Sequence, residues 1–133
     1  MADYTQPSKD TLQKKILVVE NDQVLSRILA HTLIQHGFTT LEARNGIEGL
    51  AAASTFHPDL MLLDIDMPEM DGVTMLKELR AKGDTTPIMM LTNLNNPDYI
   101  ADAAEHGVHE YLIKADWDVD EVVEKVKTKL HLQ

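Results

Sequence analysis

Short apolar runs alternating with segments of helical spacing organise this chain from residue 14 onward. Ile16-Leu17-Val18-Val19, Leu60-Met61-Leu62-Leu63 and Ile88-Met89-Met90-Leu91 are apolar at every position. Runs of this kind mark strands whose two faces are both covered by helices, as in a parallel sheet. Residues 39–43 and 109–113 read as two further strands. Between the strands, Leu25, Ile28, Leu29 and Leu33 fall on one helical face, and Gly37 supplies a stop. Ile47, Leu50 and Ala51 give a second helix that closes near Pro58, and Val73, Leu76 and Leu79 a third that ends about Gly83. Asn96-Pro97 reads as an N-cap and a proline at the first helical position. Ile100, Ala103 and Ala104 form that fourth helix's inner face, and Gly107 ends it. Val119, Val122, Val123, Val126 and Leu130 stripe the fifth helix. Five strand–helix units predict a doubly wound α/β fold around a five-stranded parallel sheet. Periodicity leaves the strand order open.

Residues 1–13 are polar and aperiodic and read as a flexible leader, with residues 14–133 as one domain. Apolar residues are 44% and charged residues 26% of the chain, ordinary values for a globular protein. A net charge of -10 argues against nucleic-acid and anionic-membrane partners, which reward basic surface. The chain has no cysteine, which excludes disulfides and thiolate metal sites and fits a reducing compartment. No apolar run reaches the roughly 18 residues of a membrane span, so a cytoplasmic location is expected.

The chemistry lies where the strands stop. The first runs into Glu20-Asn21-Asp22, the third into Asp64-Ile65-Asp66, the fourth into Thr92 and the fifth into Lys114. In open α/β sheets ligands bind at the carboxyl ends of the strands, near the reversal of strand order. Two carboxylates, a hydroxyl and an ammonium at one such edge suit a hard cation and a phosphoryl group. A carboxylate beside the cation can also attack phosphorus, giving an aspartyl phosphate. Taken singly, each residue has a plainer use. Glu20 and Asp22 could precede and cap a helix, Lys114 could be a solvated strand end, and Tyr111 a half-buried aromatic. Asp71-Gly72 reads as turn and helix start, and Met61, Met89 and Met90 as core filling. The six histidines show no metal-ligand spacing.

ILVVEND, LLDIDMPEMDG, PIMMLT and YLIKA, in this order and spacing, resemble the motifs of the receiver domain of bacterial two-component response regulators. The resemblance covers residues 14–132. It implies a flavodoxin-like fold with strand order 2-1-3-4-5. By the same resemblance Asp64 is the phosphoacceptor and Glu20 the first of the acidic pair. Asp66 would complete a Mg²⁺ shell through its backbone carbonyl. Thr92 and Lys114 match the hydroxyl and lysine that meet the phosphoryl group, and Tyr111 the aromatic switch residue. The implied activity is that of a stand-alone signalling switch and not of an enzyme. Its partners would be a histidine kinase or phosphotransfer protein upstream and a target protein downstream, the regulator being a monomer or a phosphorylation-dependent dimer.

Three positions depart from the family pattern. Asn21 stands where a metal-ligating aspartate is usual, so Mg²⁺ is expected to bind weakly. Ala115 replaces the proline that follows the lysine. A cis bond before a non-proline residue costs about 2.5–4 kcal/mol, so the Lys114–Ala115 bond is expected to be trans, with Trp117 anchoring the loop. Asn93 is bulkier than the usual residue after the threonine. Two alternative functions are a pseudo-receiver that binds partners without phosphorylation, motivated by Asn21, and an Asp-x-Asp phosphatase built on Asp64 and Asp66. The latter motif normally follows the first strand, whereas here it follows the third.

Overall fold

A computed structural model describes residues 14–93, 97–115 and 118–132. The leader, Asn96 and Trp117 lie outside the described residues. Strands β1 (Lys15–Val19), β2 (Thr39–Ala43), β3 (Leu60–Asp64), β4 (Ile88–Thr92) and β5 (Tyr111–Ile113) alternate with helices α1 (Gln23–Gln35), α2 (Gly46–Phe56), α3 (Gly72–Ala81), α4 (Pro97–Glu105) and α5 (Val119–Lys129). All pairings are parallel, in the order β2-β1-β3-β4-β5. The fold class is the one that the strand and helix pattern predicts, and the strand order is the one that the family resemblance implies. From β1 the chain steps outward to β2, then returns past β1 to β3. The reversal therefore opens a crevice at the carboxyl ends of β1 and β3.

Alternate residues of each central strand enter opposite layers, which is why these strands are apolar throughout. Ile16, Val18, Leu60, Leu62, Met89 and Leu91 pack with Leu29 and Leu33 of α1 and Val122, Val123 and Val126 of α5. Leu17, Val19, Met61, Leu63 and Met90 pack on the other face with Ala53 of α2, Met75, Leu76 and Leu79 of α3 and Ala103 of α4. Asp22, Asn45, Asp71 and Asp118 cap α1, α2, α3 and α5, each accepting from one or two backbone amides in the first turn. Gly37, Gly83 and Gly107 stop α1, α3 and α4 at positive φ, as their positions in the sequence predict.

Three expectations are corrected. The inner face of α1 is Ser26, Leu29, Ala30 and Leu33, while Ile28 is exposed. Small residues at 26 and 30 let the helix lie close to the sheet, and the stripe rotates away from Ile28. In α2 the inner face is Gly46, Gly49 and Ala53, with Leu50 partly buried and Ile47 and Ala51 outside. Strand β5 is shorter than residues 109–113, because its pairing with β4 begins at Met90↔Tyr111.

The rotation of α1 has a measurable consequence. Leu29→Ala is expected to destabilise by about 2–5 kcal/mol, as for a fully buried leucine. Ile28→Ala is expected to stay within about 0.5 kcal/mol of the parent, as for an exposed site. Equal losses from the two variants in urea unfolding would contradict this placement of the helix.

Candidate functional site

Glu20 directly follows β1, and its backbone N–H donates to the carbonyl of Ala43 at 3.0 Å, which extends the β1–β2 ladder by one residue. The side chain then turns inward and is 1% exposed. Its Oε2 accepts from the backbone N–H of Asp22 at 2.9 Å. Asp64 is the last residue of β3 and is also 1% exposed. The backbone N–H of Asp66, two residues on, donates to Asp64 Oδ1 at 3.1 Å. Both carboxylates are thus held by the backbone turning away from its own strand.

Lys114 leaves β5 with its backbone N–H donating to the carbonyl of Thr92 at 2.8 Å. Its side chain passes the end of β4. The ammonium lies 2.7 Å from Glu20 Oε1 and 2.8 Å from Asp64 Oδ1. One cation therefore meets two carboxylates from β1 and β3, strands that are not neighbours of β5. Glu20 Oε1 is fully buried and receives no well-aligned hydrogen bond, although the ammonium is within contact distance. Its charge is met, while its lone pairs are not fully used.

The electrostatics follow from this packing. Asp64 is pushed up from its ordinary 3.8 to about 7. Burial is the largest cause, and contact with Glu20 adds to it, while Lys114 pulls the other way. Burial works to lower the Lys114 ammonium, but Asp64 and Glu20 outweigh it and hold it above its ordinary value.

The remaining candidates take different places. Thr92 is buried at the end of β4, and its carbonyl anchors Lys114. Asn21 and Asp66 are exposed beside the two buried acids. Among the described residues no group of three His, Cys, Asp or Glu side chains converges as a metal site would require. Tyr111 lies outside the acid cluster, 37% exposed at the start of β5. Asn93 is exposed after Thr92. Asp22 is a helix cap, as its plainer reading holds. No cis peptide bond occurs among the described residues, so Lys114–Ala115 is trans, as expected.

Gly72 belongs to the site although it carries no chemistry. A Cβ there would overlap the carbonyl oxygen of Asp64 and lie 3.1 Å from Cα of Ile65. Its N–H donates to the carbonyl of Ile65 at 3.0 Å. The start of α3 is thus pressed against the backbone that presents Asp64. The glycine directly after the N-cap Asp71 was the available signal, but sequence alone does not show which backbone it approaches.

Residues 16–127 match the family described as the response regulator receiver domain. The chain is 37% identical over 113 residues to the regulator of RpoS of Escherichia coli K12, covering 85% of this chain and 34% of that protein. It is 30% identical over 122 residues to the sporulation initiation phosphotransferase F of Bacillus subtilis 168, covering 92% of this chain and 98% of that protein. It thus spans about a third of the first relative and nearly all of the second. A two-component response regulator from Clostridium difficile superposes with a TM-score of 0.82 at 30% identity, over 90% of this chain and 97% of the other.

Proposed function

The chain belongs to the response regulator receiver domain family, and on that premise we propose that it is a phosphorylation switch in which Asp64 is the phosphoacceptor. The observation that carries this reading is Asp64 buried at the topological switch point with the Lys114 ammonium 2.8 Å from its Oδ1. The donor would be a phosphohistidine of a histidine kinase or phosphotransfer protein. An Asp64 oxygen attacks phosphorus, the phosphorus–nitrogen bond breaks, and the electron pair returns to the imidazole. The product is an acyl phosphate. Lys114 is within reach of the oxygens on which charge collects, and Thr92 carries a hydroxyl to the same edge. We read the protein as a signalling module acting in the cytoplasm, not as an enzyme with a substrate of its own.

Glu20, Asp64, the amide oxygen of Asn21 and the backbone carbonyl of Asp66 would hold Mg²⁺, which prefers oxygen donors. The buried and incompletely bonded Oε1 of Glu20 is the feature that fits a cation best. When bound, Mg²⁺ would supply positive charge to the phosphoryl oxygens during transfer. Because Asn21 is neutral, binding is weak. Asn21→Asp is expected to tighten Mg²⁺ binding by about tenfold, since hard cations favour anionic oxygen. Equal or weaker affinity in a direct titration would contradict this account.

The charge and acceptor oxygens added at Asp64 would draw the Thr92 hydroxyl inward, and Tyr111 would turn from its exposed position. The surface that changes is that of α4, β5 and α5, where a target protein or a second copy would dock. Exposed Asn21 favours a second reading, a pseudo-receiver that binds partners without phosphorylation. Incubation with a small acyl phosphate, with and without Mg²⁺, decides between them. A Mg²⁺-dependent mass increase confined to Asp64 is expected, and its absence would leave the pseudo-receiver.

A further inference from the structure

Oxidisable sulfur is not spread evenly through this protein. Met61, Met75, Met89 and Met90 are buried in the core at 0–1% exposure. The partly exposed methionines among the described residues are Met67 and Met70, and both lie in the segment between Asp64 and α3. An oxidant arriving from solvent therefore meets thioether sulfur first beside Asp64. Met70 also joins this segment to α2. Its carbonyl accepts from the N–H of Gly46, the first residue of α2, at 3.2 Å. Its side chain lies against the same glycine: a Cβ on Gly46 would come within 2.7 Å of Met70 Cγ, the atom bonded to the sulfur. The segment is tightly wound. Met70 N–H donates to the carbonyl of Pro68 at 2.7 Å, and Glu69 between them has φ +68, a left-handed backbone that glutamate adopts reluctantly. Packing of Met67 and Met70 on the apolar layer under α2 and α3 offsets that cost. The Asp66 N–H that holds Asp64 Oδ1 belongs to the same segment.

We propose that Met70 is a site of reversible oxidation by hydrogen peroxide, and that its sulfoxide loosens the segment that carries Asp64 and Asp66. The sulfur lone pair attacks one oxygen of the peroxide and the O–O bond breaks. The departing hydroxide takes the proton of the transferred oxygen and leaves as water. Sulfur is oxidised by two electrons and the peroxide is reduced. A thiol-dependent reductase reverses the change, giving the thioether, water and a disulfide. The sulfoxide is polar where the thioether was apolar, so it withdraws from Gly46 and from the apolar layer. Without that packing the left-handed turn at Glu69 relaxes, and the Asp66 N–H is drawn away from Asp64. Oxidation thereby slows phosphoryl uptake. That consequence rests on the reading of Asp64 as phosphoacceptor, whereas the oxidation and the loosening do not.

The test treats the folded protein with hydrogen peroxide and maps the added oxygen by peptide mass. Met67 and Met70 are expected to gain oxygen about tenfold faster than the four buried methionines, or more. The amides of Gly46, Asp64 and Asp66 are expected to shift as Met70 oxidises, and to return after a methionine sulfoxide reductase and a thiol are added. Phosphoryl uptake from a small acyl phosphate is expected to fall by about tenfold, the scale on which small displacements of a reacting group act. Met70→Leu removes the sulfur and keeps an apolar side chain of similar volume, so its uptake should survive the same treatment. Met67→Leu should stay sensitive. Oxygen entering buried and exposed methionines at like rates would overturn the proposal. So would amides at Gly46 and Asp66 that ignore the Met70 sulfoxide, or protection by Met67→Leu in place of Met70→Leu. Should Met70→Leu fail to fold, the parent's mass map and amides decide. An untreated parent that takes no phosphoryl group counts against the phosphoacceptor reading alone, and the same map and amides then decide this one. A parent that labels equally before and after Met70 oxidation overturns the proposal.

Discussion

Asp64→Asn is expected to abolish phosphoryl incorporation while the protein stays folded. The amide keeps the carboxylate's shape and can still accept from the Asp66 N–H, but it lacks the anionic oxygen that would attack phosphorus. Intact-mass measurement after exposure to a small acyl phosphate reads the result directly. Labelling at the parent rate would place the phosphoacceptor elsewhere. The same variant has a second signature, in stability against pH. Asp64 in the folded protein titrates near 7, against an ordinary 3.8, chiefly because it is buried and secondarily because Glu20 faces it. An acid with a raised folded pKa binds its proton more tightly when folded. Between these two values the folded state holds more protons than the unfolded one, so stability falls as pH rises through that window. Asp64→Asn removes the titrating group and is expected to flatten this part of the profile. Lys114 acts at the opposite end: its raised pKa contributes stability below its ordinary 10.5, which is lost as pH climbs through the folded value. An unchanged acid-to-neutral slope in the variant would show that the shift belongs to another group.

The parts of this protein that could be read in the sequence are those where one residue's environment is set locally. Leu60, Met61, Leu62 and Leu63 announce a strand covered on both faces because no polar residue interrupts them, and Asp64 then marks its exit. Glu20, Thr92 and Lys114 follow by the same logic, since a parallel sheet gathers all its carboxyl ends on one edge. Sequence could not give the reach of Lys114. The contact with Glu20 crosses from β5 past β4 and β3 to β1, and periodicity carries no information on strand order. The helix faces failed for a related reason. Hydrophobic spacing weights Ile28 and Ile47 as core because they are large, yet the two helices bury Ala30, Gly46 and Gly49 instead. A Cβ on Gly49 would lie 2.8 Å from the Met75 sulfur, so α2 packs through the absence of a side chain. Ser26 is buried for a polar reason, its hydroxyl donating to Glu42 at 2.9 Å. Small and polar residues that permit or fill a close contact leave little trace in an amphipathic pattern.

Gly72→Ala is expected to be the most damaging single-methyl change near the site. The added carbon would overlap Asp64 O and lie 2.9 Å from Asp64 C, both backbone atoms that no rotamer change can move aside. Either the first turn of α3 lifts away from β3, breaking the Gly72 N–H bond to Ile65, or the carbonyl of Asp64 is displaced and the carboxylate with it. Alanine's better helix propensity, about 1 kcal/mol in a helix interior, offsets part of the loss. Overpacking against rigid neighbours typically costs about 1–3 kcal/mol and occasionally more, so a net loss of about 2 kcal/mol is expected. Gly83→Ala separates the steric cause from a conformational one. Gly83 sits at φ +85 with nothing within 4 Å of a built Cβ, so its penalty of about 1 kcal/mol comes from the left-handed backbone alone. The two variants should also differ in the site. Gly72→Ala is expected to move the amide resonances of Asp64 and Asp66 and to slow phosphoryl uptake, whereas Gly83→Ala leaves both as in the parent. Equal stability losses with an undisturbed Asp64 amide in both would show that α3 can yield at its first turn, and that Gly72 does not hold the end of β3 in place.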